Sequence, residues 1–306
     1  MSLYALFAGK GFSGFGYGST AEDVTAGLDL TGTTILVTGC NSGLGHEALR
    51  VLALRGARVI GTARTLEKAK AACASVQGDT VPLACELADP ASVRACVASV
   101  NAAGLQLDVI LCNAGIMALP KLQQAFGYEL QFFTNHIGHF ILVTGLLGQL
   151  TATGRVVMLS SAGHGLAPKG GIEFDNLSGE RGYVSWKQYG QSKFANLLFA
   201  KELARRFAGT QQTANAVHPG VIQTNLGRHM NPVLQFLFGL SDKIALKSVA
   251  QGAATEVYVS VHPAVAGISG KYFADCNVAK SRPDADDAAL ARKLWDVSEQ
   301  IVAKLP

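Results

Sequence analysis

The sequence predicts an α/β fold, a single doubly wound Rossmann-type domain with a parallel sheet of about seven strands and helices on both faces. Short apolar, β-branched runs alternate with longer amphipathic stretches along the 306 residues. Most of these runs are apolar at every position, which is typical of parallel strands that are covered on both faces. The chain shows no internal repeat and no Pro/Ser-rich linker, so one domain spanning 1–306 is favoured over two.

Seven strands and five helices follow from these patterns. The predicted strands are 34–38, 58–61, 80–84, 107–112, 154–160, 213–218 and 271–273. The predicted helices are 43–55, 65–75, 89–101, 126–150 and 184–207. Asp89 followed by Pro90 indicates a helix start, with a side-chain cap and a proline at the first helical position. Pro82 cannot donate a ladder hydrogen bond, which puts the third strand at an edge, as in the strand order 3-2-1-4-5.

The composition restricts the class of protein. Hydrophobic residues make up 49% of the chain and charged residues 16%, which favours a large core and argues against disorder. The net charge is only +4, and no dense stripe of Lys and Arg accompanies it. We therefore expect small molecules, not nucleic acid, as binding partners.

Cysteine usage and the N-terminus bear on the compartment. The six cysteines are scattered, include no Cys-x-x-Cys and fall mostly in apolar runs, which predicts reduced thiols. The cytoplasm is the expected reducing compartment, and a plastid stroma also fits. No apolar stretch reaches membrane-spanning length, and 1–20 lacks the basic and apolar regions of a secretory signal. We interpret 1–30 as an N-terminal arm.

The segment after the first strand has the residues that a dinucleotide pyrophosphate requires. It has the spacing Gly-x-x-x-Gly-x-Gly and opens a helix. Glycines let the backbone turn tightly beside the phosphates, and the helix N-terminus supplies N–H donors and a favourable dipole. The expected contacts are Gly39, Asn41, Ser42, Gly43, Leu44 and Gly45. The alternative, a tight turn without a ligand, is disfavoured by the strand–loop–helix context.

The end of the second strand predicts which dinucleotide binds. Folds that bind NAD usually place an acid here for the ribose 2′-hydroxyl, but this chain has Ala63 followed by Arg64. An arginine can pair with a 2′-phosphate through two parallel hydrogen bonds, so NADP(H) is the expected cofactor. The alternative is an ordinary surface arginine at the start of the next helix.

Tyr189 and Lys193 are the candidate acid–base pair. They lie four residues apart in a predicted helix, and therefore on one face. A lysine ammonium beside a phenol favours the phenolate, which makes the tyrosine a usable acid or base near neutral pH. The spacing alone occurs by chance on many helices, so its weight depends on the motifs around it.

Together these motifs resemble the short-chain dehydrogenase/reductase family, from about residue 30 to 273. The family's motifs occur here in order: Thr-Gly-x-x-x-Gly-x-Gly at 38–45, Asn-Ala-Gly at 113–115, a helix asparagine at Asn135, a serine at Ser160 or Ser161, Tyr-x-x-x-Lys at Tyr189 and Lys193, and Pro-Gly at 219–220. The resemblance implies that Asn113, Ala114 and Gly115 contact the cofactor. It also suggests a homodimer or homotetramer.

The resemblance further implies a catalytic role for each residue of a tetrad. Tyr189 exchanges a proton with the substrate oxygen while hydride moves, and Lys193 lowers the pKa of Tyr189 and hydrogen-bonds the nicotinamide ribose. The serine orients the substrate oxygen, and the backbone carbonyl of Asn135 holds a water of a proton relay.

The segment after the sixth strand is the expected nicotinamide site. The resemblance implies that Pro219 and Gly220 contact the cofactor and that the backbone of Ile222 binds its carboxamide. Thr224 is expected nearby.

Two positions leave alternatives. Ser161 is preferred over Ser160 as the catalytic serine because Ala162 and Gly163 follow it, and strand alternation then points Ser160 the other way. The family commonly has Asp-Leu after strand three, where this chain has Glu86-Leu87. Either Glu86 reaches the adenine amino group, or only the Leu87 backbone touches adenine.

Several histidines lie close to these motifs, but no metal is expected. His136, His139 and His164 form no metal-ligand pattern. The first two are interpreted as packing or helix-surface residues, and His164 could border the substrate.

The segments 135–140, 170–177 and 270–276 look like the retinol dehydrogenase-like branch of the family. The N-terminal 19–25 is similar to that branch's plant and bacterial members, including the short-chain dehydrogenase of the chloroplast translocon. The apolar run within 226–246 is expected to be a lid over an apolar substrate, with a subunit contact or membrane-surface contact as alternatives.

The sequence therefore predicts an NADP(H)-dependent alcohol dehydrogenase or carbonyl reductase. The rival hypothesis is a regulatory or translocon-type binding subunit that senses NADPH with little turnover. The complete tetrad argues against a pure sensor, because binding alone needs no acid at Tyr189.

Overall fold

A computed structural model describes residues 9–222 and 246–306 of the protein. Their strands are β1 (Thr34–Thr38), β2 (Arg58–Ala63), β3 (Thr80–Ala84), β4 (Leu107–Cys112), β5 (Gln124–Ala125), β6 (Tyr128–Glu129), β7 (Leu150–Leu159), β8 (Thr213–His218), β9 (Tyr272–Ala274) and β10 (Asn277–Val278). Eight of them form one sheet in the order β10-β9-β8-β7-β4-β1-β2-β3, and β5 and β6 form a separate hairpin. All neighbours in the large sheet are parallel except β9 and β10. The predicted doubly wound sheet is confirmed. Its predicted strand order 3-2-1-4-5 is also confirmed, because the fifth predicted strand corresponds to β7 and the observed order is β3-β2-β1-β4-β7.

Helices cover both faces of this sheet. They are α1 (Gly43–Leu54), α2 (Leu66–Ala74), α3 (Pro90–Ala102), α4 (Gly138–Leu146), α5 (Ser185–Arg206), α6 (Val249–Val261) and α7 (Ala288–Val302). One core lies between the sheet and α1, α2 and α6, and the other between the sheet and α3, α4, α5 and α7. Strand alternation divides the side chains between them, because Leu36 points to the second core while Ile35 and Val37 point to the first.

Local chemistry explains several element boundaries. The Asp89 side chain accepts a hydrogen bond from the Ala91 N–H, and Pro90 occupies the first turn of α3, as the sequence predicts. Pro82 lies in β3 at the sheet edge and pairs only with β2, which confirms the edge position.

The predicted helix 126–150 is wrong at both ends. Phe126 and Gly127 have positive φ values of 52° and 81° and form the turn of the β5–β6 hairpin, a geometry that right-handed helix excludes. Helical structure begins with Leu130–Phe132, continues through a π-helical turn at Phe133–Ile137 and enters α4. Strand β7 then starts at Leu150, four residues before the predicted strand. Helices α6 and α7 were not predicted.

The described part of the N-terminal arm is docked against the domain. The Asn277 side chain accepts from the Ser13 N–H and donates to the Phe15 carbonyl. The Ala21 N–H donates to the carbonyl of Ala250 in α6. The predicted lid at 226–246 lies outside the described residues except for Leu246.

One buried acid stands out in the core. Glu256 in α6 has no exposed surface, and neither of its carboxyl oxygens has a hydrogen-bond partner in the described part of the chain. Burial raises the pKa of Glu256 from 4.5 to about 8, and the nearby Lys193 charge opposes that rise. The folded protein therefore holds a proton on Glu256 at neutral pH, which the unfolded chain would release.

Glu256→Met is expected to stabilise the fold at neutral pH. Between pH 4.5 and about 8 the folded state of the unsubstituted protein binds the additional proton, so its stability falls as pH rises through that window. Removing the carboxyl abolishes this fall and should raise the free energy of unfolding by about 1–3 kcal/mol at pH 7, with little change at pH 4.5. Urea denaturation across this range measures it, with exposed Glu180→Met as the control. Equal pH slopes for Glu256→Met and the unsubstituted protein would contradict this interpretation.

Candidate active site

The site lies where the strand order reverses. Strand β1 is flanked by β2 on one side and β4 on the other, so the loops that follow β1 and β4 diverge toward opposite faces. This divergence leaves a crevice at the carboxyl ends of parallel strands, where ligands bind in open α/β sheets. The loops after β1, β2, β3, β4, β7 and β8 carry most of the site residues that the sequence predicts in the described part of the chain, and helical segments carry Asn135, Tyr189 and Lys193.

The glycines of the loop after β1 are required by close backbone contacts. Gly39 has a φ of 73°, which favours glycine. A Cβ on Gly45 would stand 2.4 Å from both Asn113 Nδ2 and the Gly39 carbonyl oxygen. Helix α1 begins at Gly43, and the Ser42 side chain makes no capping hydrogen bond. The first N–H groups of α1 are thus left available to an anion.

The loop after β1 is attached to the end of β4. Asn113 donates through Nδ2 to the Thr38 carbonyl at 2.8 Å, and the Ala114 N–H donates to the Thr38 hydroxyl at 2.9 Å. Both interactions are buried or nearly so. These two hydrogen bonds hold the Asn-Ala-Gly segment against the start of the loop after β1.

Leu44 and Ile222 meet at α6. A Cβ added to Gly252 would lie 2.7 Å from the Leu44 Cδ2 atom and 2.4 Å from the Ile222 Cδ1 atom. The backbone of Ile222 pairs with Lys247, and Gly220 packs against the Lys247 side chain. The segment after β8 is therefore held close to the start of α1. Thr224 lies outside the described residues.

Arg64 and Glu86 lie together at the ends of β2 and β3. Arg64 Nε is 4.0 Å from Glu86 Oε2, and the arginine side chain is 55% exposed. The other carboxylate oxygen of Glu86 accepts from the Ala88 N–H at 3.1 Å. Glu86 thus stabilises its own turn. Leu87 is buried, and its carbonyl stands against Gly138 at the start of α4.

Ser161 and Tyr189 converge on Gly163. A Cβ at Gly163 would stand 3.3 Å from Ser161 Oγ and 2.8 Å from Tyr189 Cε1. Ser160 points away, since its hydroxyl donates to the Lys193 carbonyl in α5 at 2.7 Å. The structure thus brings Ser161, rather than Ser160, to the candidate acid.

The pKa of Tyr189 differs from the simplest expectation. Burial raises it, and hydrogen bonding by the Ser161 side chain acts in the opposite direction. Burial therefore outweighs the expected lowering by Lys193, whose Nζ lies 6.0 Å from the centre of the Tyr189 ring and donates to the Leu159 carbonyl at 3.0 Å. The phenol of Tyr189 is therefore protonated at neutral pH.

Lys193 is buried among neutral groups. Its burial lowers the pKa of the ammonium to about 8, and the charge of Glu256 partly offsets the decrease. A Cβ at Gly115 would be 3.3 Å from Lys193 Nζ and 3.1 Å from Asn135 Oδ1. Lys193 and Asn135 thus meet beside Gly115 of the Asn-Ala-Gly segment.

Asn135 lies in the π-helical turn before α4, a distortion that is frequent at functional sites. Its Oδ1 accepts from the Ile116 N–H at 2.8 Å. Its Nδ2 donates to the Ile116 carbonyl at 3.0 Å and to Ser192 Oγ at 2.9 Å. The side chain thereby connects the loop after β4 to the residue before Lys193.

His164 supports the loop of Ser161, and both of its ring nitrogens have partners within the protein. Its Nδ1 lies 2.5 Å from the Ser161 carbonyl oxygen, and its Nε2 accepts from the Arg282 N–H at 3.3 Å. Arg282 also donates to the Ala167 carbonyl. The C-terminal segment thus holds the loop that carries Ser161.

Sequence reasoning missed two kinds of residue. Glu256 could have been noticed as the single acid in the otherwise uncharged run of α6. Ser192 lies between Tyr189 and Lys193, but its contact with Asn135 depends on tertiary structure, so no sequence signal identifies it.

Comparisons with known proteins agree with this geometry. The sequence profile of the short chain dehydrogenase family matches residues 33–234. The chain belongs to the short chain dehydrogenase family. Within this family it is 41% identical to short-chain dehydrogenase TIC 32 B, chloroplastic, from Brassica napus, over 100% of both chains. It is 40% identical to human retinol dehydrogenase 14, over 90% of this chain and 87% of that protein.

Solved structures of the family share the fold. An uncharacterised protein from Mycobacterium paratuberculosis is 32% identical, with a TM-score of 0.76 over 92% of this chain and 97% of that one. A short chain dehydrogenase from Burkholderia cenocepacia, solved in complex with NADP, is 24% identical, with a TM-score of 0.65 over 80% of this chain and 96% of that one. As a family member with retinol dehydrogenase-like relatives, the protein is an oxidoreductase.

Residues 9–222 and 246–306 contain no group of three or more His, Cys, Asp or Glu side chains that could hold a metal ion. None of their helices is long and apolar enough to cross a membrane.

Proposed function

We propose that this short chain dehydrogenase uses NADP(H) to interconvert an alcohol and a carbonyl group of an apolar substrate, with Tyr189 as the general acid and base. The convergence of Ser161 and the buried Tyr189 at Gly163 carries the proposal. This convergence brings a protonated phenol and a hydroxyl together. The two groups could polarise and then protonate the carbonyl oxygen of a substrate bound there.

The residues present fit a dinucleotide. Gly45 packs directly against Asn113 and the Gly39 carbonyl, which keeps the loop after β1 compact, and the open N-terminus of α1 suits a pyrophosphate. Arg64 would pair with the 2′-phosphate, because its side chain is half exposed and its contact with Glu86 is at the 4.0 Å limit of an ion pair. Exposed ion pairs of this kind contribute little, so a phosphate could displace Glu86.

Other contacts would hold the adenine and the nicotinamide. Since the Glu86 carboxylate is engaged with the Ala88 N–H, we favour the Leu87 backbone as the adenine contact. The segment 113–115 would contact the ribose side, and 219–222 the carboxamide. When bound, NADPH would supply the hydride.

The proton chemistry follows from the buried groups. The raised pKa of Tyr189 keeps the phenol protonated near neutral pH, which suits proton donation to a substrate carbonyl. The Ser161 hydroxyl would orient that carbonyl oxygen. Lys193, with a pKa lowered to about 8, would favour the Tyr189 phenolate while it is charged. We therefore infer that at neutral pH the free protein is in the protonation state that carbonyl reduction requires.

Exposed apolar side chains close to candidate site residues favour an apolar substrate. Leu166, Val184 and Val221 are each at least half exposed, and each lies close in the chain to a candidate site residue. The Trp186 ring packs edge-on to Tyr189 with 6.0 Å between ring centres. A long apolar alcohol or aldehyde, as the name of the retinol dehydrogenase relative suggests, would extend over these side chains. The predicted lid at 226–246 would close over it.

Two further expectations are proposals as well. All six cysteines are unpaired and buried, which suits the predicted reducing compartment, cytoplasmic or plastid. A homodimer or homotetramer stays a prediction from the family. The rival function, an NADPH-sensing subunit, gains no support from Ser161 and Tyr189, whose convergence does not contribute to dinucleotide binding.

Tyr189→Phe tests the proposed reaction. The substitution removes the proton donor and keeps the ring, so kcat for NADPH-dependent reduction of long-chain aldehydes should fall at least about 100-fold. NADPH affinity, followed by fluorescence titration, should change by less than about 3-fold. Tyr128→Phe, which alters a tyrosine in the β5–β6 hairpin, is the matched control. Turnover that survives in Tyr189→Phe would refute the role of Tyr189, and an inactive natural protein that binds NADPH tightly would favour the sensor.

Arg64→Leu tests the choice of cofactor. Loss of the guanidinium should raise the dissociation constant of NADPH by about 10-fold to 100-fold, because a charge-assisted pair with the 2′-phosphate is lost. The dissociation constant of NADH should change by less than about 3-fold. The control is Arg58→Leu. Arg58 is an exposed arginine at the start of β2, the strand that Arg64 follows, and it pairs with Asp79. An unchanged preference for NADPH over NADH would exclude Arg64 as the phosphate contact.

A further inference from the structure

His139 occupies a central position in the site, although the reaction proposed above gives it no role. It lies in the first turn of α4 and has no exposed surface. Its Nδ1 lies 2.9 Å from the backbone carbonyl oxygen of Asn135, and its Nε2 lies 2.9 Å from the Thr38 hydroxyl. The ring therefore connects the π-helical turn to the residue that precedes the loop after β1.

The partners of His139 determine its tautomer. A carbonyl oxygen can only accept, so Nδ1 must carry the hydrogen and donate it to Asn135. The Thr38 hydroxyl accepts from the Ala114 N–H and can donate its own hydrogen to Nε2. Both ring nitrogens of His139 and the Thr38 hydroxyl thus have partners, which is the condition under which a buried polar network is stable.

His139 does not serve as a proton donor or acceptor in this arrangement. Burial lowers its pKa to about 4, and the charge of Lys193 acts in the same direction. The imidazole therefore stays neutral, in one tautomer, at neutral pH. Its contribution must come from position rather than from proton transfer.

The Asn135 carbonyl is the group that His139 holds. It lies in a π-helical turn, where the regular i→i−4 ladder is interrupted and carbonyl directions are less constrained. A carbonyl oxygen has two lone pairs, so the Nδ1–H of His139 occupies one and determines where the other points. A water molecule that links this carbonyl to Lys193 would have to use the other lone pair.

We propose that His139 is a positioning residue that orients the Asn135 carbonyl for proton relay and, through Thr38, couples that orientation to the cofactor loop. This inference rests on the proposed oxidoreductase function. Binding of a dinucleotide against the loop after β1 would then stiffen the Asn135 turn, and distortion of that turn would weaken dinucleotide binding.

Two substitutions separate the two contacts of His139. His139→Asn retains a donor close to the position of Nδ1 and loses the reach to Thr38. His139→Gln retains a polar group close to the position of Nε2 and loses the donor to Asn135. The chain also offers a matched control, His136→Gln, because His136 is equally buried on the π-helical turn just before His139 but bonds to Ser298 of α7 at 2.8 Å.

The proposal predicts opposite kinetic effects for the two variants. His139→Gln should lower kcat by about 10-fold to 100-fold and leave the NADPH dissociation constant within about 2-fold. His139→Asn should keep kcat within about 3-fold and raise that dissociation constant by about 3-fold to 10-fold. His136→Gln should leave both quantities within about 2-fold. Equal losses of kcat in His136→Gln and His139→Gln, or no loss in His139→Gln, would overturn the proposal.

NMR of the ¹⁵N-histidine-labelled, cofactor-free protein provides a readout that needs no turnover. The His139 signal, assigned through backbone connectivities, should show the Nδ1–H tautomer and remain neutral from pH 8 down to about 5. An Nε2–H tautomer, or titration near pH 6.5, would overturn the proposal even if the variants fail to fold. If the natural protein shows no turnover, the proposed function fails. The tautomer and the difference in NADPH affinity between the two variants then decide the coupling to Thr38.

Discussion

The site depends on the junction between the ends of β1 and β4. Three residues meet there: the Thr38 carbonyl accepts from the Asn113 amide, and the Thr38 hydroxyl accepts from the Ala114 N–H. This junction fixes how far apart the two loops stand as they diverge, and therefore the width of the crevice. It also places Gly115 against Lys193 and Asn135, so the loop for the cofactor and the residues for chemistry share one buried support.

Among the described residues, two ionisable groups, Lys193 and Glu256, are buried without a partner that neutralises their charge. Lys193 has no carboxylate within ion-pair distance in the described part of the chain, and Glu256 has no hydrogen-bond partner there. Burial shifts the pKa values of both toward about 8, and each lies within the electrostatic reach of the other. Such perturbed pairs cost stability and are concentrated at functional sites. The histidines around them are held neutral, so they orient backbone carbonyls without adding charge.

Local patterns in the sequence were sufficient to predict the sheet, its order and most of the residues that converge on the site. Apolar runs mark the strands because parallel strands are buried on both faces. The start of the helix before Asn135 was misplaced, since the Phe126-Gly127 turn interrupts an apolar run that otherwise resembles helix. The roles of His139, His164 and Ser192 could not be predicted, because each depends on a partner far away in the chain. The effect of burial on the pKa of Tyr189 likewise depends on packing and cannot be read from a four-residue spacing.

A crystal structure of the protein with NADP⁺ would show whether the dinucleotide lies across the β1–β4 junction with its nicotinamide at the tetrad. We expect the pyrophosphate on the N–H groups at the start of α1, the 2′-phosphate beside Arg64 and the nicotinamide between Ile222 and Tyr189. A nicotinamide distant from Tyr189, or a 2′-phosphate that does not contact Arg64, would contradict this arrangement.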